Sequence, residues 1–480
     1  MKINNIFEKI ISNSKNCQNL MLVEEKKTYN DLYLNTKKIY KFLKKNLKKD
    51  EIICVCLNYS FDFMSIILAS YLNKNPVTFL NPFASKKEKK HVISDSKCSI
   101  IIYEKNNLKY SKSKKFLSFK YKVLKKLEKN NLSFRFLIYT SGTTANPKGV
   151  MLSTSAISSN VKSINNNINL KKNDTGIIFS PPAYAMGVSQ VLSFLLSKSK
   201  FVLFNSGLRF PVELKEKIKK YKISILNLSI SALRILNKYL KKNEKFNFVK
   251  IVMAGGMQFT TTEYNLYKKI FPKALMINFY GCTENSPRIS HYHINSKKNF
   301  KGIFPVGKPL NGVKVKIKNL SNSKIGKIFI SGTSLMNGYY NLNKINEQKI
   351  IKNWFDTGDL GFFDKKRDLY LIGRCDNIFR VGHEKLYPEE LESEIKLKLK
   401  IENVIISKIK DKILNWVPVC VILDYNKKEI SEKIFTLLKK NFSSFKVPKK
   451  IISIKEFPKT NYGKIDRVKL EQKIKKIYEQ

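Results

Sequence analysis

The stretch of sequence that is most informative about the fold is rich in hydroxyl residues and glycine and reads Thr140-Ser141-Gly142-Thr143-Thr144-Ala145-Asn146-Pro147-Lys148-Gly149. It directly follows the apolar run 136–139, which is predicted as a strand. A loop of hydroxyls and glycine after a strand can surround phosphate oxygens with backbone N–H and Oγ donors, and Lys148 adds a positive charge. The stretch is not a Walker A loop, because Gly149 follows the lysine where that motif has serine or threonine. Taken alone, such a stretch is more often a simple turn.

Apolar runs of strand length alternate with helical patterns on both sides of this loop. The elements of two such units are strand 52–57, helix 62–72 and strand 77–79, then strand 249–254, a helix from Thr261 and strand 275–280. Thr260 and Glu263 form a capping-box pattern at the start of the second helix. Because strands and helices alternate, the sequence predicts an α/β fold with parallel sheets covered by helices.

The last hundred residues change character. Pro388, followed by two acids, is typical of a helix start, and Leu391, Ile395 and Leu399 fall on one face of that helix. The other predicted elements are strands 404–409, 417–423 and 450–454 and a helix over 431–441. We therefore predict a large N-terminal domain over residues 1–374 and a small α+β C-terminal domain over 375–480.

Composition bounds the class of protein. The chain has 480 residues, 43% of them hydrophobic, which is enough for a large buried core. Lys+Arg 91 against Asp+Glu 37 gives a net charge of +54, which is compatible with a non-catalytic lysine-rich binder of nucleic acid or membranes. Only eight of the basic residues are arginine, the residue that base readout favours, and the lysines are spread along the whole chain. A dedicated nucleic-acid site is therefore disfavoured, and the run 86–90 is predicted to be a solvated surface.

Cysteine usage and the N-terminus indicate the compartment. The seven cysteines are scattered without a C-x-x-C pair, and the first 20 residues lack an apolar signal-peptide core, so we predict a cytoplasmic location. The longest apolar-leaning stretch, 177–196, contains Pro181 and Pro182 and is predicted as strand, loop and helix rather than a transmembrane segment. The histidines His291, His293 and His383 suggest no metal site and are expected on the surface or in loops.

The hydroxyl-rich loop resembles the phosphate loop of the adenylate-forming superfamily, which includes acyl-CoA synthetases, peptide-synthetase adenylation domains and luciferases. Four further signatures of that family follow in its order, namely Tyr280-Gly281-Cys282-Thr283-Glu284, Asp356-Thr357-Gly358-Asp359, Gly373-Arg374-Cys375-Asp376 and Pro458-Lys459-Thr460-Asn461-Tyr462-Gly463-Lys464. Five ordered matches across nearly the whole chain argue against coincidence. The resemblance implies a large domain, a small mobile domain and an active site between them.

The resemblance also implies the chemistry. A carboxylic acid attacks the α-phosphate of ATP with Mg²⁺ present, which gives acyl-AMP and pyrophosphate, and a thiol then displaces AMP. An anion approaches a polyanion in the first step, so fixed donors and a metal ion lower the barrier. The favoured function is an acyl-CoA synthetase acting on a small-molecule carboxylate. CoA and the phosphopantetheine of an acidic acyl carrier protein end in the same thiol, so carrier-protein loading is the alternative.

The resemblance assigns roles residue by residue. The nucleotide-binding residues are Thr140, Ser141, Gly142, Thr143, Thr144 and Lys148 for the leaving phosphates, Thr283 for the α-phosphate, Tyr280 for adenine, and Asp359 and Arg374 for ribose. The catalytic residues are Lys464 and Glu284, and Glu284 is also the Mg²⁺ ligand. The remaining assignments are Asp376 to the hinge, Gly382 to the thiol-acceptor side, and Tyr184, Gly187, Met257 and Gly281 to the acyl pocket.

Three positions depart from the family pattern. Ala145 replaces a usual glycine, which would cost about 1 kcal/mol if the backbone there requires φ > 0. Lys327 stands where glutamate is common. Tyr184 stands where many acyl-CoA synthetases have histidine, next to the acyl pocket, and this weakens the prediction of a fatty-acid substrate.

Overall fold

The computed structural model describes residues 5–104, 108, 113–124, 132–140, 147–206, 210–241, 243–256, 258–294, 299–300, 302–319, 324–381, 384–411, 415–423, 427–459 and 465–479. The helices in these ranges are α1 Ile6–Ser14, α2 Tyr29–Asn46, α3 Phe61–Leu72, α4 Lys86–Ser96, α5 Thr154–Ile168, α6 Ala185–Ser197, α7 Pro211–Lys220, α8 Ile230–Lys238, α9 Thr261–Ile270, α10 Asn343–Lys349, α11 Pro388–Leu399, α12 Lys427–Asn441 and α13 Arg467–Glu479.

The strands of the first two thirds of the chain are β1 Leu20–Leu22, β2 Lys27–Thr28, β3 Ile53–Cys56, β4 Val77–Phe79, β5 Ile100–Tyr103, β6 Lys114–Phe116, β7 Phe119–Val123, β8 Phe136–Thr140, β9 Lys148–Leu152, β10 Thr175–Ile178, β11 Lys200–Leu203, β12 Ile225–Asn227, β13 Ile251–Gly255, β14 Leu275–Tyr280, β15 Ser290–Ile294, β16 Lys308–Pro309 and β17 Val313–Asn319. The later strands are β18 Gly326–Gly332, β19 Gly338–Tyr339, β20 Ile350–Ile351, β21 Trp354–Phe363, β22 Leu369–Arg374, β23 Phe379–Val381, β24 Glu384–Leu386, β25 Val404–Asp411, β26 Asn415–Leu423 and β27 Lys450–Ile454.

Two large sheets form the body of the molecule. One has the order β16-β15-β14-β13-β12-β10-β11-β1-β2, and the other has the order β19-β9-β8-β4-β3-β5-β7-β6. Their central strands are parallel, as the alternation of strands and helices predicts, while β15, β16 and β2 in the first sheet and β19, β9, β7 and β6 in the second pair antiparallel at the edges. The predicted α/β fold class is therefore confirmed.

The largest apolar core joins these two sheets. It contains Ile53 and Ile102 from one sheet and Ile178 and Phe201 from the other, all buried. Helix α3, whose side chains from Asp62 to Ser70 are all buried, supplies much of the same core. A helix that is apolar on nearly every face is stable only in the interior, so α3 is a buried layer between sheets.

A third sheet and the C-terminal elements complete the fold. Strands β17, β18, β20, β21 and β22 form a five-stranded antiparallel sheet, and β25, β26 and β27 form a separate three-stranded sheet. The apolar clusters around the three-stranded sheet draw their buried members only from residues 379–474. The residues after Arg374 thus have a core of their own.

Most element predictions agree with the structure. Strands β4, β14 and β27 match the predicted bounds, and α11 begins at Pro388 with Leu391 and Ile395 buried. The capping box of Thr260 and Glu263 is present at the start of α9. Helix α12 begins four residues before the predicted start, with Glu429 in its first turn. Within the described ranges, every helix is too short or too polar to cross a bilayer.

Candidate active site

The hydroxyl-rich stretch connects two antiparallel strands. Strand β8 ends at Thr140 and β9 begins at Lys148, and these two residues face each other in the pairing of the strands. The intervening residues Ser141, Gly142, Thr143, Thr144 and Ala145 lie outside the described residues. The loop therefore leaves and re-enters one sheet at the same place, with Lys148 at its base.

Lys148 and Glu284 share a neighbour, Tyr339. The Nζ of Lys148 lies 5.7 Å from the centroid of the Tyr339 ring, and the Tyr339 hydroxyl donates a 2.7 Å hydrogen bond to Oε1 of Glu284. Burial, together with the nearby carboxylate of Glu284, raises the pKa of Tyr339. The phenol therefore stays protonated at neutral pH and remains a donor, which fixes the orientation of the carboxylate.

Thr283 and Glu284 lie in a one-turn 3₁₀ helix directly after β14. The backbone carbonyl of Glu284 accepts a 2.8 Å hydrogen bond from the N–H of Met336, so the turn is attached to the segment before β19. Both side chains are half-buried. A hydroxyl and a carboxylate are hard oxygen donors of the type that Mg²⁺ prefers, so this donor set fits the metal that the resemblance implies.

Tyr280, Asp359 and Arg374 are brought together. The Tyr280 hydroxyl donates a 2.5 Å hydrogen bond to Oδ2 of Asp359, and Nη1 of Arg374 donates a 2.8 Å hydrogen bond to Oδ1. Asp359 and Arg374 face each other in the pairing of β21 with β22. Burial and then the carboxylate of Asp359 raise the pKa of Tyr280. Burial alone would lower the pKa of Arg374, but the charges of Asp359 and Asp376 raise it.

Asp376 lies two residues beyond the end of β22. It is in a short 3₁₀ turn, Cys375–Asn377, and its Oδ2 accepts a 3.3 Å hydrogen bond from Nη2 of Arg374. The side chain of Asp376 is 59% exposed. Next to this turn, a Cβ atom on Gly373 would lie 2.7 Å from Oε2 of Glu389, so the glycine lets α11 approach the end of β22.

The acyl-pocket residues that the structure describes lie at the start of α6 and at the end of β14. Tyr184 is the N-cap residue of α6, and Gly187 is in its first turn. A Cβ atom on Gly187 would lie 2.0 Å from the hydroxyl oxygen of Tyr59, so this ring occupies the space that a side chain would need. Likewise, a Cβ atom on Gly281 would lie 1.9 Å from the carbonyl oxygen of Pro287. Both positions require glycine for close packing.

Lys464, Gly382 and Met257 lie outside the described residues, as does His383.

The expectation of a surface or loop position is wrong for His291, whereas His293 is only half-buried. Both are in strand β15, and His291 is 5% exposed. Nδ1 of His291 and Nε2 of His293 lie 2.8 and 2.9 Å from Oδ1 of Asn167. Burial, followed by the positive charge of Arg288, lowers the pKa of His291 well below its ordinary value. Pairing of β15 with β14 buries this residue, and a short polar run gives no sign of that pairing.

Three residues near the site were missed. Tyr339 and Tyr59 contact predicted site residues through long-range packing that leaves no local pattern. Arg288 follows Glu284 by four residues and is buried. As one of eight arginines in a lysine-rich chain, next to a recognised motif, it could have been noticed in the sequence.

The fold and the site define a class of protein. Thr140 and Tyr280 stand at the carboxyl ends of β8 and β14, one in each large sheet. Close to these ends, Tyr280 contacts Asp359, and Tyr339 contacts both Glu284 and Lys148. Ligands of open α/β sheets bind at the carboxyl ends of strands. This arrangement is that of a nucleotide-binding α/β enzyme.

The family follows from comparison with known proteins. A profile described as AMP-binding enzyme matches residues 12–340, which is more than half of the chain. The chain belongs to this family.

Relatives of two kinds match the chain. A linear gramicidin synthase of Brevibacillus parabrevis is 20% identical over 97% of this chain, but the match covers 9% of that much longer protein. A 2-succinylbenzoate–CoA ligase of Listeria monocytogenes is 27% identical over 89% of this chain and 90% of its own length. The chain therefore spans a small part of one relative and nearly all of the other.

Solved structures share the fold over the whole chain. The o-succinylbenzoate coenzyme A synthetase MenE from Bacillus subtilis, in complex with ATP and magnesium ion, has a TM-score of 0.80 at 19% identity and covers 97% of this chain and 99% of its own. ATP-bound MatB from Rhodopseudomonas palustris has a TM-score of 0.83 at 17% identity and covers 100% of both chains. At these identities the likeness defines the fold alone.

Proposed function

We propose that this chain is an ATP-dependent, AMP-forming acid–thiol ligase that activates a carboxylic acid as acyl-AMP and transfers the acyl group to CoA. The observation that carries the proposal is the meeting of Lys148, Glu284 and Tyr339 beside the base of the hydroxyl-rich loop. Family membership and the match to a CoA ligase over nearly its whole length support it. A non-catalytic binder of nucleic acid or membranes does not require a lysine and a glutamate that contact the same tyrosine.

The nucleotide is bound in this proposal by three groups of residues. Thr140, Lys148 and the loop between them hold the β- and γ-phosphates, because backbone and hydroxyl donors and one cation complement a leaving polyanion. Tyr280 packs against adenine. Asp359 accepts hydrogen bonds from the ribose hydroxyls, and Arg374 keeps its carboxylate ionised and oriented.

Glu284 and Thr283 hold Mg²⁺ next to the α-phosphate in this proposal. When bound, the ion neutralises phosphate charge and makes the α-phosphorus more electrophilic. The hydrogen bond from Tyr339 orients the Glu284 carboxylate before the ion arrives, so less freedom is lost on binding. ATP with magnesium ion in MenE supports this assignment.

Lys464 is the proposed catalytic cation of the first half-reaction. It contacts the carboxylate and α-phosphate oxygens and stabilises the charge that concentrates there. The C-terminal domain, 375–480, delivers it, and rotation about Asp376 replaces it with Gly382 and its neighbours for thioester formation. Tyr184, Gly187, Gly281 and Met257 line the acyl pocket.

A carrier protein is the second candidate for the thiol acceptor. The specific support is the match of 97% of this chain to a part of a gramicidin synthase. The positive net charge of +54 would attract the acidic surface of such a carrier as well as the phosphates of CoA.

A cytoplasmic location is proposed because all seven cysteines are free, which is typical of proteins in a reducing compartment.

The proposal is tested by exchange of labelled pyrophosphate into ATP. The acid panel contains fatty, aromatic and amino acids together with dicarboxylic acids, including oxalate and 2-succinylbenzoate. We expect at least one acid to support exchange, and competition between CoA and carrier proteins then identifies the acceptor. If no acid in the panel supports exchange, the ligase proposal is wrong and the lysine-rich binder is favoured.

Lys464→Ala separates the two half-reactions. The variant should lose exchange by about 100-fold or more, because one charge-stabilising group of the transition state is removed. Thioester formation from supplied acyl-AMP should fall by less than about threefold. The control is Lys476→Ala, an exposed lysine on α13, which should change neither step. Equal loss of both steps would contradict the role of Lys464.

A further inference from the structure

Arg288 has a backbone that is held in place by buried side chains. Nδ2 of Asn160 and Nδ2 of Asn285 each donate a 2.7 Å hydrogen bond to the carbonyl oxygen of Arg288. The N–H of Arg288 donates a 3.2 Å hydrogen bond to Oδ1 of Asn160. Both asparagines are at most 1% exposed. The position of the arginine is therefore fixed by α5 and by the turn after β14.

The guanidinium of Arg288 is buried, and no described residue gives it an anion. The residue is 3% exposed, and its Cζ lies 3.7 Å from the centroid of the Phe279 ring. Nε is fully buried without a hydrogen-bond partner, and the part of the chain that the structure describes supplies no ion pair to the group. Burial lowers the pKa of Arg288 to about 9, so the group remains charged at neutral pH.

Other arginines in this protein have acceptors. Nη2 of Arg467 donates hydrogen bonds of 2.8 and 2.9 Å to the two carboxylate oxygens of Glu392. Nη1 of Arg135 donates a 2.6 Å hydrogen bond to the carbonyl oxygen of Asn75. A buried charge without a counter-charge is strongly unfavourable, and the face of one aromatic ring recovers only a small part of that cost. Arg288 thus requires an anion that the described residues do not supply.

Arg288 packs against Gly281, one of the residues proposed for the acyl pocket. A Cβ atom on Gly281 would lie 3.1 Å from Cα of Arg288. Phe279, whose ring the guanidinium covers, precedes the nucleotide-site residue Tyr280 on the same strand. The arginine is therefore beside Gly281, a residue that we propose for the acyl pocket.

We propose that Arg288 binds a second carboxylate on the acid substrate, so that the enzyme is selective for dicarboxylic acids. This inference rests on the proposed ligase function and specifies its substrate class. One carboxylate of the substrate reacts at the α-phosphate, and the other forms the ion pair that Arg288 lacks among the described residues. Since a guanidinium presents two parallel N–H donors, a carboxylate is a matched partner. A neutral or purely apolar acyl group would leave the buried charge unpaired.

The first measurement compares each dicarboxylic acid of the exchange panel with its monomethyl ester. The ester keeps the reacting carboxylate and the carbon skeleton but loses the second charge. We expect at least one diacid to have a kcat/KM at least 50-fold above that of its ester. If every diacid is equal to or poorer than its ester while monocarboxylic acids support exchange, the role of Arg288 is overturned and the ligase function stands.

The second measurement uses Arg288 variants. Arg288→Met keeps most of the length and apolar contact but removes the charge, and the diacid-to-ester ratio should fall to within about twofold of unity. Arg288→Lys keeps the charge without the paired donors and should retain a ratio of about 3- to 10-fold. The matched control is Arg367→Met, which removes an exposed arginine that also covers a ring, that of Phe363, and should leave the ratio unchanged. An unchanged ratio in both Arg288 variants contradicts the proposal.

A binding measurement without ATP separates this inference from the ligase function. The preferred diacid should raise the thermal unfolding temperature of the parent chain and not that of Arg288→Met. Inorganic phosphate serves as the non-substrate anion, and equal protection by phosphate that is lost in Arg288→Met would show a general anion site and overturn selectivity for diacids. Failure of exchange with all acids would instead overturn the ligase function, and diacid protection that requires Arg288 would still support the second-carboxylate site.

Discussion

At the scale of single residues, the candidate site pairs each key carboxylate with a buried phenol. Tyr280 donates to Asp359, and Tyr339 donates to Glu284. Burial and the neighbouring carboxylate raise the pKa of both tyrosines, which keeps them protonated. A neutral donor orients a carboxylate without cancelling its charge, so each acid can still attract a cation or accept hydrogen bonds from a ribose.

The buried side chain of His291 leads to a prediction about how stability depends on pH. Its pKa is lowered in the folded state, so the unfolded chain binds a proton near pH 6.5 that the folded chain does not bind. Stability is therefore lost as the pH falls below about 6.5, at up to about 1.4 kcal/mol per pH unit. We expect His291 to account for a loss of at most about 2 kcal/mol in the free energy of unfolding between pH 7 and pH 5. Urea unfolding at both pH values measures this loss.

The comparison variant is His291→Gln, which can still donate to Asn167 but does not titrate. Its loss of stability between pH 7 and pH 5 should be smaller than that of the parent, by at most about 2 kcal/mol. An identical loss in parent and variant would show that His291 is not the group responsible. The lowered pKa of His293 should cause part of the loss that persists in the variant.

Site residues could be predicted from the sequence where they belong to local motifs, and not where they reach the site through long-range contacts. Tyr280, Asp359 and Arg374 belong to local motifs, so the sequence predicted them, and the structure brings them together. Tyr339 is 55 residues from Glu284 and reaches it because β19 pairs with β9. That pairing is a tertiary event, so no run of neighbouring residues encodes it.

At the scale of elements, the sequence predicted the parallel strands better than the antiparallel edges. Strands β4 and β14 are uniformly or nearly uniformly buried, and their apolar runs fix their bounds. Strand β15 is the polar-looking sequence Ser290 to Ile294 and becomes a strand because it pairs with β14. Short antiparallel strands near a sheet edge carry polar residues, so their composition resembles that of loops and a single sequence does not distinguish them.

The close packing at the start of α6 leads to a prediction about the stability of variants. Gly187→Ala would place a Cβ atom 2.0 Å from the Tyr59 hydroxyl oxygen and 2.8 Å from the carbonyl oxygen of Pro181, so the variant should lose about 1–3 kcal/mol of stability. Tyr59→Phe alone should change stability little, because the buried Tyr59 hydroxyl has no hydrogen-bond partner among the described residues. Urea unfolding of both variants measures these effects.

The double variant tests whether the two residues interact as the packing indicates. Tyr59→Phe removes the nearer of the two clashing atoms, so it should recover about 1 kcal/mol or more of the loss caused by Gly187→Ala. The contact with the Pro181 carbonyl remains, and recovery should therefore be partial. Strict additivity of the two substitutions would show that Tyr59 does not occupy the space beside Gly187.

At the scale of the whole molecule, the residues after Arg374 contact the larger part through polar groups and through apolar side chains, since Ile378 and Tyr387 pack against buried residues of β21 and β22. Ser393 Oγ on α11 donates a 3.1 Å hydrogen bond to Oε1 of Gln258, whose Nε2 donates to the carbonyl oxygen of Ile372. Nε of Arg234 lies 3.4 Å from Oε2 of Glu402. Partly exposed contacts of this kind contribute about 0–1 kcal/mol each. The polar contacts would therefore cost little to break, which is compatible with the proposed rotation of residues 375–480.

Asp376 is where such a rotation is expected to be absorbed, because it follows the last strand of the larger part in a short exposed turn. Asp376→Pro fixes φ and should slow thioester formation from acyl-AMP by at least about tenfold more than adenylation, since only the second half-reaction requires the domain to turn after acyl-AMP has formed. Pyrophosphate exchange and single-turnover transfer to CoA measure the two steps. Asp376→Ala is the control: it removes the same contact with Arg374 but keeps φ free, so it should affect both steps within about threefold. Equal slowing of both steps by proline, or an equally selective defect with alanine, would place the hinge elsewhere.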